Sequence, residues 1–302
     1  MSDVVICGSL NMDLLSQVER LPLPGETVLG SCYQHSAGGK GLNQAIACVR
    51  MGVPTAMIGA VGDDAHGRAL TELLRTEGVD TTRVRTRAGV TTGLAQVMLA
   101  ASGENSIVVH AGANTSLSAT DVTRDLPEAI VYLAQLETPL DTIEEFFAAA
   151  RQAGGCCVLN TAPAVTGSER LLSLADVLVM NETELAYYAG QAGAVSAAQV
   201  RRLGPRLLQR PQQALIVTLG AEGAWIFTHT SEEFIPAIPA TVLDTTGAGD
   251  CFTGVLAAGI ALGQVLPEAA RRASRAASIA VTRLGAATSM PRVQELTASD
   301  SH

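Results

Sequence analysis

The sequence predicts an α/β fold: a doubly wound, mostly parallel sheet flanked by helices, with a small second sheet attached. Three observations carry this expectation. Short β-rich apolar runs alternate with amphipathic segments along most of the chain, two stretches break the alternation, and the polar residues that look functional fall just after the apolar runs. Apolar runs separated by helical patterns are the mark of parallel strands covered on both faces by crossover helices.

The runs are VVICG from Val4, TAMIGAVG from Thr55, IVYLAQL from Ile130, CCVLN from Cys156, DVLVMN from Asp176 and ALIVTLG from Ala214. Between them, residues 64–78, 140–154 and 196–210 are amphipathic and long enough to cross back over a sheet. Residues 14–35 and 91–110 instead alternate polar and apolar side chains with no helix between them, so they are expected to form the accessory strands, inserted into one domain spanning 1–302. No internal repeat, low-complexity tract or Pro/Gly-rich linker interrupts the chain.

Composition agrees. The chain has 302 residues, 47% hydrophobic and 16% charged, which suits a folded protein with a sizeable core. Only 3% are aromatic, so Val, Leu, Ile and Ala must fill that core. A formal charge of −9 argues against nucleic acid or an anionic membrane as a partner, because both demand clustered Lys and Arg. The six cysteines form no CxxC and no zinc-like spacing with the five histidines, and read as small core residues. The N-terminal MSDVVICGSLNMD has neither a basic leader nor an apolar run of signal length, so a cytoplasmic location is expected. The apolar stretch 251–266 is too short and too polar for a membrane span and reads as a core helix.

In open α/β sheets ligands bind beyond the carboxyl ends of the strands. Asn11 and Asp13 follow the first apolar run, Glu137 the third, Asn160 the fourth, Asn181 and Glu184 the fifth, Thr218 and Gly220 the sixth. Each alone fits a turn or a helix cap. Their convergence on one edge of one sheet favours a ligand site.

Two glycine motifs sharpen the chemistry, and neither is a Walker loop or a dinucleotide fingerprint. In DTTGAGD, Asp244 to Asp250, small residues open a long apolar helix. A helix N-terminus with exposed amides attracts anions, so this turn can cradle a phosphate while Asp250 orients a hydroxyl and takes its proton. On this motif alone a tight turn with a helix-terminal carboxylate explains the residues equally well. SAGGKGLNQA, Ser36 to Ala45, also opens a helix with glycines and adds Lys40 and Asn43. Asn43 with the upstream Asp13 suits adjacent sugar hydroxyls; a solvated lysine on a helix-start loop explains Lys40 but not the paired glycines.

With both motifs in this order, the chain resembles the ribokinase branch of the phosphofructokinase-B type carbohydrate kinases. The resemblance covers almost the whole length, through GSLNMD at Gly8, GGKGLNQA at Gly38, GDDAHG at Gly62, HAGAN at His110, QLETP at Gln135, NTAPA at Asn160, NETE at Asn181, TLGAEG at Thr218, DTTGAGDCFTG at Asp244 and VTRLGAATSMP at Val281. It implies that Asn11, Asp13, Gly39, Lys40, Asn43 and Glu137 line a sugar pocket and that Asp250 is the catalytic base, with Gly247, Ala248 and Gly249 forming the anion hole. Asn181, Glu184, Thr218, Gly220, Gly223 and Gly249 would lie along an ATP–Mg²⁺ site, with Ser274 near adenine. A K⁺ site would take Asp244 and Thr246 from one loop and Ala280, Arg283, Gly285 and Ser289 from the other. The accessory strands would be a lid that also pairs two subunits. Two positions depart from the family pattern: Leu42 stands where Ala is common, and Ser274 where Asn or His is.

The resemblance thus implies an ATP-dependent sugar kinase converting D-ribose to D-ribose 5-phosphate. Alternatives are a kinase for 2-deoxyribose, another sugar or a nucleoside, and, from a different class, a catalytically silent sugar-binding sensor. Cys251 and His110 read as packing and loop residues rather than catalysts. Arg201-Arg202 and Arg271-Arg272 read as solvated helix faces rather than phosphate clamps.

Overall fold

The computed structural model describes residues 2–193 and 195–297. Its larger sheet has nine strands: β1 (Val4–Cys7), β4 (Thr55–Gly62), β5 (Asp80–Arg87), β8 (Val131–Ala134), β9 (Cys156–Asn160), β10 (Val177–Asn181), β11 (Ala214–Thr218), β12 (Gly223–Phe227) and β13 (Glu232–Pro236). The spatial order is β13-β12-β11-β10-β9-β8-β1-β4-β5. All neighbours from β11 through β5 run parallel, and only β12 and β13 pair antiparallel, at one edge.

Six of these strands coincide with the apolar runs because they are buried on both faces. β1 divides its side chains between two cores: Val4 and Ile6 on one face, Val5 and Cys7 on the other. The first core packs against α1 (Lys40–Arg50), α2 (Ala65–Glu77), α7 (Ala248–Ala261) and α8 (Leu266–Ala280). The second packs against α3 (Ala119–Thr123), α4 (Leu140–Gln152), α5 (Glu182–Tyr188) and α6 (Ala197–Leu203), with Tyr132, Phe146 and Phe147 concentrating the scarce aromatics there. A ninth helix, α9 (Val293–Thr297), ends the described chain. The expected helix 64–78 is α2 with both caps: Asp64 accepts the Gly67 N–H at 2.8 Å, and Gly78 takes the left-handed conformation at φ 91°. The expected 196–210 helix is shorter, because Gly204 and Pro205 turn the chain into a 3₁₀ segment after Leu203.

The three strands not anticipated lie at the two ends of the strand order. β5, DTTRVRTR, carries the charged residues that edge strands tolerate. β12 and β13 form a hairpin on the opposite edge.

The small sheet contains β2 (Asn11–Val18), β3 (Gly30–Gly38), β6 (Gly93–Ala100) and β7 (Asn105–His110), ordered β3-β2-β6-β7. It reaches beyond the expected 14–35 segment at both ends, since Asn11, Met12 and Asp13 pair with Gly38, Ala37 and Ser36. β2 also runs parallel to β6 over its whole length. The small sheet is therefore rooted directly in residues that follow β1. Among the described residues no helix is long and apolar enough to cross a membrane.

Candidate active site

The strand order places five polar residues in a row at one edge of the larger sheet: Thr218 and Asn181 end β11 and β10, Asn160 ends β9, Glu137 lies just past β8, and Asn11 opens β2 after β1. With neighbouring strands about 4.8 Å apart, this row extends roughly 19 Å. That is room for two ligands side by side.

The N-termini of α1 and α7 converge on the middle of the row. Asp250, in the first turn of α7 and only 7% exposed, accepts a hydrogen bond from Asn43 Nδ2 on Oδ2 (2.9 Å) and from Gln44 Nε2 on Oδ1 (3.0 Å). A carboxylate offers about four lone-pair positions, so each oxygen keeps one free. Asn43 Oδ1 is buried with no partner among the described residues. The Asn43 carbonyl is therefore an unpaired acceptor, while its amide nitrogen is already committed to Asp250.

Around Asp250 lies a cleft of about 350 Å³ lined by Lys40, Asn160, Asn181, Glu182, Glu184, Thr218, Gly220, Gly247, Gly249 and Thr253, among others. Gly247 holds φ 76°, and a Cβ there would stand 2.8 Å from Ala286 Cβ, so only glycine lets this turn approach the following loop. A Cβ on Gly249 would meet nothing within 4 Å, so the space above the helix end is open. No partner for the Gly247 or Gly249 N–H is found among the described residues, as expected at a helix start, whereas the Ala248 N–H is held by the Thr245 carbonyl at 3.1 Å. Asn181 and Glu184 form a reciprocal capping box on α5, at 2.8 and 2.9 Å.

On the other side of Asp250, Glu137 accepts hydrogen bonds from Ser9 Oγ and from the Lys40 N–H. Gly39, at φ 91°, brings the chain so close that a Cβ would sit 2.8 Å from the Asn11 nitrogen. Asn11 Oδ1 accepts from Asn114 Nδ2 at 2.8 Å, which leaves the Asn11 amide N–H groups free of that bond. A Cβ on Gly38 would stand 2.2 Å from Asp13 Oδ2, so this glycine makes room for the carboxylate. A second cavity, of about 540 Å³ and mostly apolar, adjoins Asn11 and Glu137.

Electrostatics mark the same place. Burial, then the nearby Glu137 and Asp250 carboxylates, push Asp13 up to about 6. Burial works against the Lys40 ammonium, but Asp250, Glu137 and Glu184 outweigh it and hold its proton more tightly than usual. Burial raises Glu184 against the opposing pull of the Asn181 N–H and Lys40. A site with four carboxylates and one cation is costly to keep, and such costs concentrate at functional sites.

The DTTGAGD loop is tied to the loop after α8. Asp244 accepts the N–H of Thr246 and of Gly285, each at 2.9 Å. Burial raises its pKa, but these hydrogen bonds outweigh it and leave Asp244 below the ordinary value. Ala280 O accepts the Arg283 N–H at 3.1 Å, and Ser289 Oγ donates to Ala286 O at 2.8 Å.

Not every expected residue meets this cleft. Gly223 opens β12, where a Cβ would stand 2.1 Å from Ile235 O, so packing against β13 accounts for the glycine. Ser274 is half-buried on α8 and is not part of the cleft wall. Cys251 is fully buried, and burial raises its thiol pKa further, so it stays protonated. His110 is exposed at the end of β7. Arg201 pairs with Glu232, and Arg271 with Glu233, at the surface. Conversely, Gln44, Gln135 and Ser9 join the network without having been singled out. All three lie inside the motifs already quoted, and their signal was position within a motif.

A model of the pfkB family carbohydrate kinases matches residues 1–293. The chain is 36% identical over 300 residues to the ribokinase of Haemophilus influenzae, covering 97% of this chain and 96% of that one. It is 30% identical to a deoxyribokinase of Salmonella typhi, with 97% of each chain covered. The structure of Arabidopsis thaliana ribokinase complexed with ribose and ATP superposes with a TM-score of 0.90 at 32% identity, covering 100% of this chain and 99% of that one. With a buried carboxylate seated at a helix start amid a row of polar strand ends, and a family model matched from residue 1 to 293, this chain is a member of the pfkB family of carbohydrate kinases.

Proposed function

We propose that this protein is an ATP-dependent ribokinase, transferring the γ-phosphoryl group of ATP to the primary hydroxyl of D-ribose. The observation that carries the reading is the position of Asp250: buried at the start of α7, held by Asn43 and Gln44, with a free lone pair on each oxygen beside the open space over Gly249. Asp250 orients the C5 hydroxyl and takes its proton as the oxygen bonds to the γ-phosphorus, and ADP leaves with the electrons of the broken P–O bond. The Gly247 and Gly249 amides, at the positive end of α7, stabilise the charge on the transferring group. Asp13 and the Asn43 carbonyl accept from the ring hydroxyls, Lys40 and Glu137 close the pocket around them, and Asn11 supplies N–H donors. Asn181, Thr218 and Gly220 lie on the nucleotide side.

Mg²⁺ usually keeps several waters and takes one or two carboxylates plus phosphate oxygens. Glu182 and Glu184 in the cleft wall fit that requirement. A bound Mg²⁺ would offset negative charge on the phosphates. K⁺ suits the junction of the Asp244–Thr246 turn with residues 280–289, where donors are carbonyl and hydroxyl oxygens with one carboxylate. No group of three or more acidic, His or Cys side chains able to hold a metal is found among the described residues. A weakly charged, oxygen-rich site of this kind favours a monovalent ion over a tightly held divalent one.

Six free thiols fit a reducing, cytoplasmic setting. We take the small sheet as a lid inserted in one domain, and its outer strand β7, with Ile107, Val108 and Val109 exposed, as the surface on which two copies pair.

The test is ADP release measured across ribose, 2-deoxyribose, hexoses and nucleosides with Mg²⁺ and K⁺ held constant. A site built to hydrogen-bond a hydroxyl loses about 1–3 kcal/mol when the analogue lacks it, so kcat/KM for ribose should exceed that for 2-deoxyribose by roughly 5- to 150-fold. Deoxyribose equal or better overturns the ribose assignment. No ADP release with any sugar, despite sugar binding, favours the silent sensor.

A further inference from the structure

Asp250 is held by a chain of buried amides that no substrate can touch. Gln44, on α1, donates from one Nε2 to both Asp250 Oδ1 and Asn160 Oδ1, each at 3.0 Å. Its Oε1 accepts from Gln135 Nε2 at 2.7 Å. Gln44 and Gln135 are both 0% exposed, and neither belongs to the cleft wall. Gln135 lies just past β8, and a Cβ on Gly8 would meet its Oε1 at 2.1 Å, so the glycine after β1 is what admits this side chain.

The direction of every bond in the chain follows from the carboxylate. An ionised Asp250 only accepts, so Gln44 must present its NH₂ group, which turns its carbonyl toward Gln135. Gln135 must then present its own NH₂ group, and its carbonyl is left buried with no partner among the described residues. An unpaired buried acceptor is expensive. The fold retains it in the one orientation that locks Gln44.

We propose that Gln135 is a positioning residue for the phosphoryl transfer: through the amide of Gln44 it fixes the rotation of the Asp250 carboxylate, and with it the lone pair that receives the sugar proton. This rests on Asp250 being the base in the proposed reaction. Without Gln135, the buried Gln44 carbonyl loses its donor, and only the bonds of Nε2 to Asp250 Oδ1 and Asn160 Oδ1 still hold the side chain. Gln44 is then free to tilt about those two bonds, and its contact with Asp250 Oδ1 loosens. The carboxylate, still held by Asn43 on Oδ2, then loses its fixed rotation, whereas Gln135 itself is no part of the cleft wall.

The experiment compares wild type, Gln135→Leu, Gln44→Met and the double variant. Leucine approximates the volume of glutamine and removes the orphan carbonyl along with the donor, so the fold should survive; Gln135→Met is the second choice if it does not. Expected is a fall in kcat of roughly 5- to 30-fold in Gln135→Leu with KM for ribose and ATP within about twofold, the signature of a lost transition-state interaction. The double variant should be no slower than Gln44→Met alone, because Gln135 acts only through Gln44. Independently of activity, the side-chain amide signal of Gln44 in ¹⁵N-edited NMR, identified by its loss in Gln44→Met, should shift or exchange faster with solvent in Gln135→Leu. An unmoved Gln44 signal, unchanged kcat, or losses that multiply in the double variant overturns the proposal. A wild type that phosphorylates no sugar overturns the kinase reading instead, and the NMR arm still decides whether Gln135 orients Gln44.

Discussion

Asp13 should cost stability in exchange for binding. In the folded chain burial, then Glu137 and Asp250, push its carboxyl up to about 6, against an ordinary value near 3.9. No hydrogen bond to its carboxylate is found among the described residues to offset this. Between those two values the native state binds the proton that the unfolded chain has released, so stability falls as pH rises through this window and the full penalty is present above it. Roughly two pH units at about 1.4 kcal/mol each set an upper bound of about 3 kcal/mol, and partial exposure of Asp13 reduces this to about 1–2 kcal/mol. Asp13→Asn keeps the shape and removes the charge, so the ligand-free variant should unfold later than wild type at pH 8, by a few degrees. The gain should vanish at pH 4, where both native forms are neutral at this position. The same variant should bind ribose at least about tenfold more weakly, having lost a charged acceptor. Thermal and urea unfolding at pH 8 and pH 4, with ribose titrations alongside, decide it. A variant less stable than wild type at pH 8, or equally stabilised at both pH values, refutes the reasoning.

Asp250→Asn should fold, yet lose about 10²–10⁴ in kcat, and near-normal turnover would remove Asp250 from the mechanism. KM for ribose should rise as pH falls from 8 to 5, because Asp13 takes up a proton near 6 and stops accepting hydroxyls; the trend should be absent in Asp13→Asn, and a flat wild-type profile contradicts it. Gly38→Ala puts a methyl 2.2 Å from Asp13 Oδ2 and should raise KM for ribose without changing KM for ATP, so equal effects on both would count against the assignment of the two sides. Activity should respond more to K⁺ than to Na⁺ at constant ionic strength, and Asp244→Ala should abolish the difference; identical rates in the two salts argue against a cation at the Asp244 turn.

The sequence by itself determined the parallel core of the sheet, because β1, β4, β8, β9, β10 and β11 are buried on both faces and can only be written as apolar runs. It determined also which residues stand at the strand ends and that two glycine turns open helices, since φ above zero and close approach leave few residue types to choose from. Edge strands escaped it: β5 needs only one paired side and carries three arginines, and the β12–β13 hairpin declares itself only by pairing with β11. Only the tertiary structure decided that Asn43 and Gln44 both reach Asp250 across more than 200 positions of sequence. Only it joined Gln135 to that pair, or showed that Gly223 serves the hairpin rather than the cleft. Burial patterns are local and survive as periodicity in the chain. A hydrogen bond between two helix starts depends on how a whole sheet twists and packs beneath them, and no window of sequence contains that information.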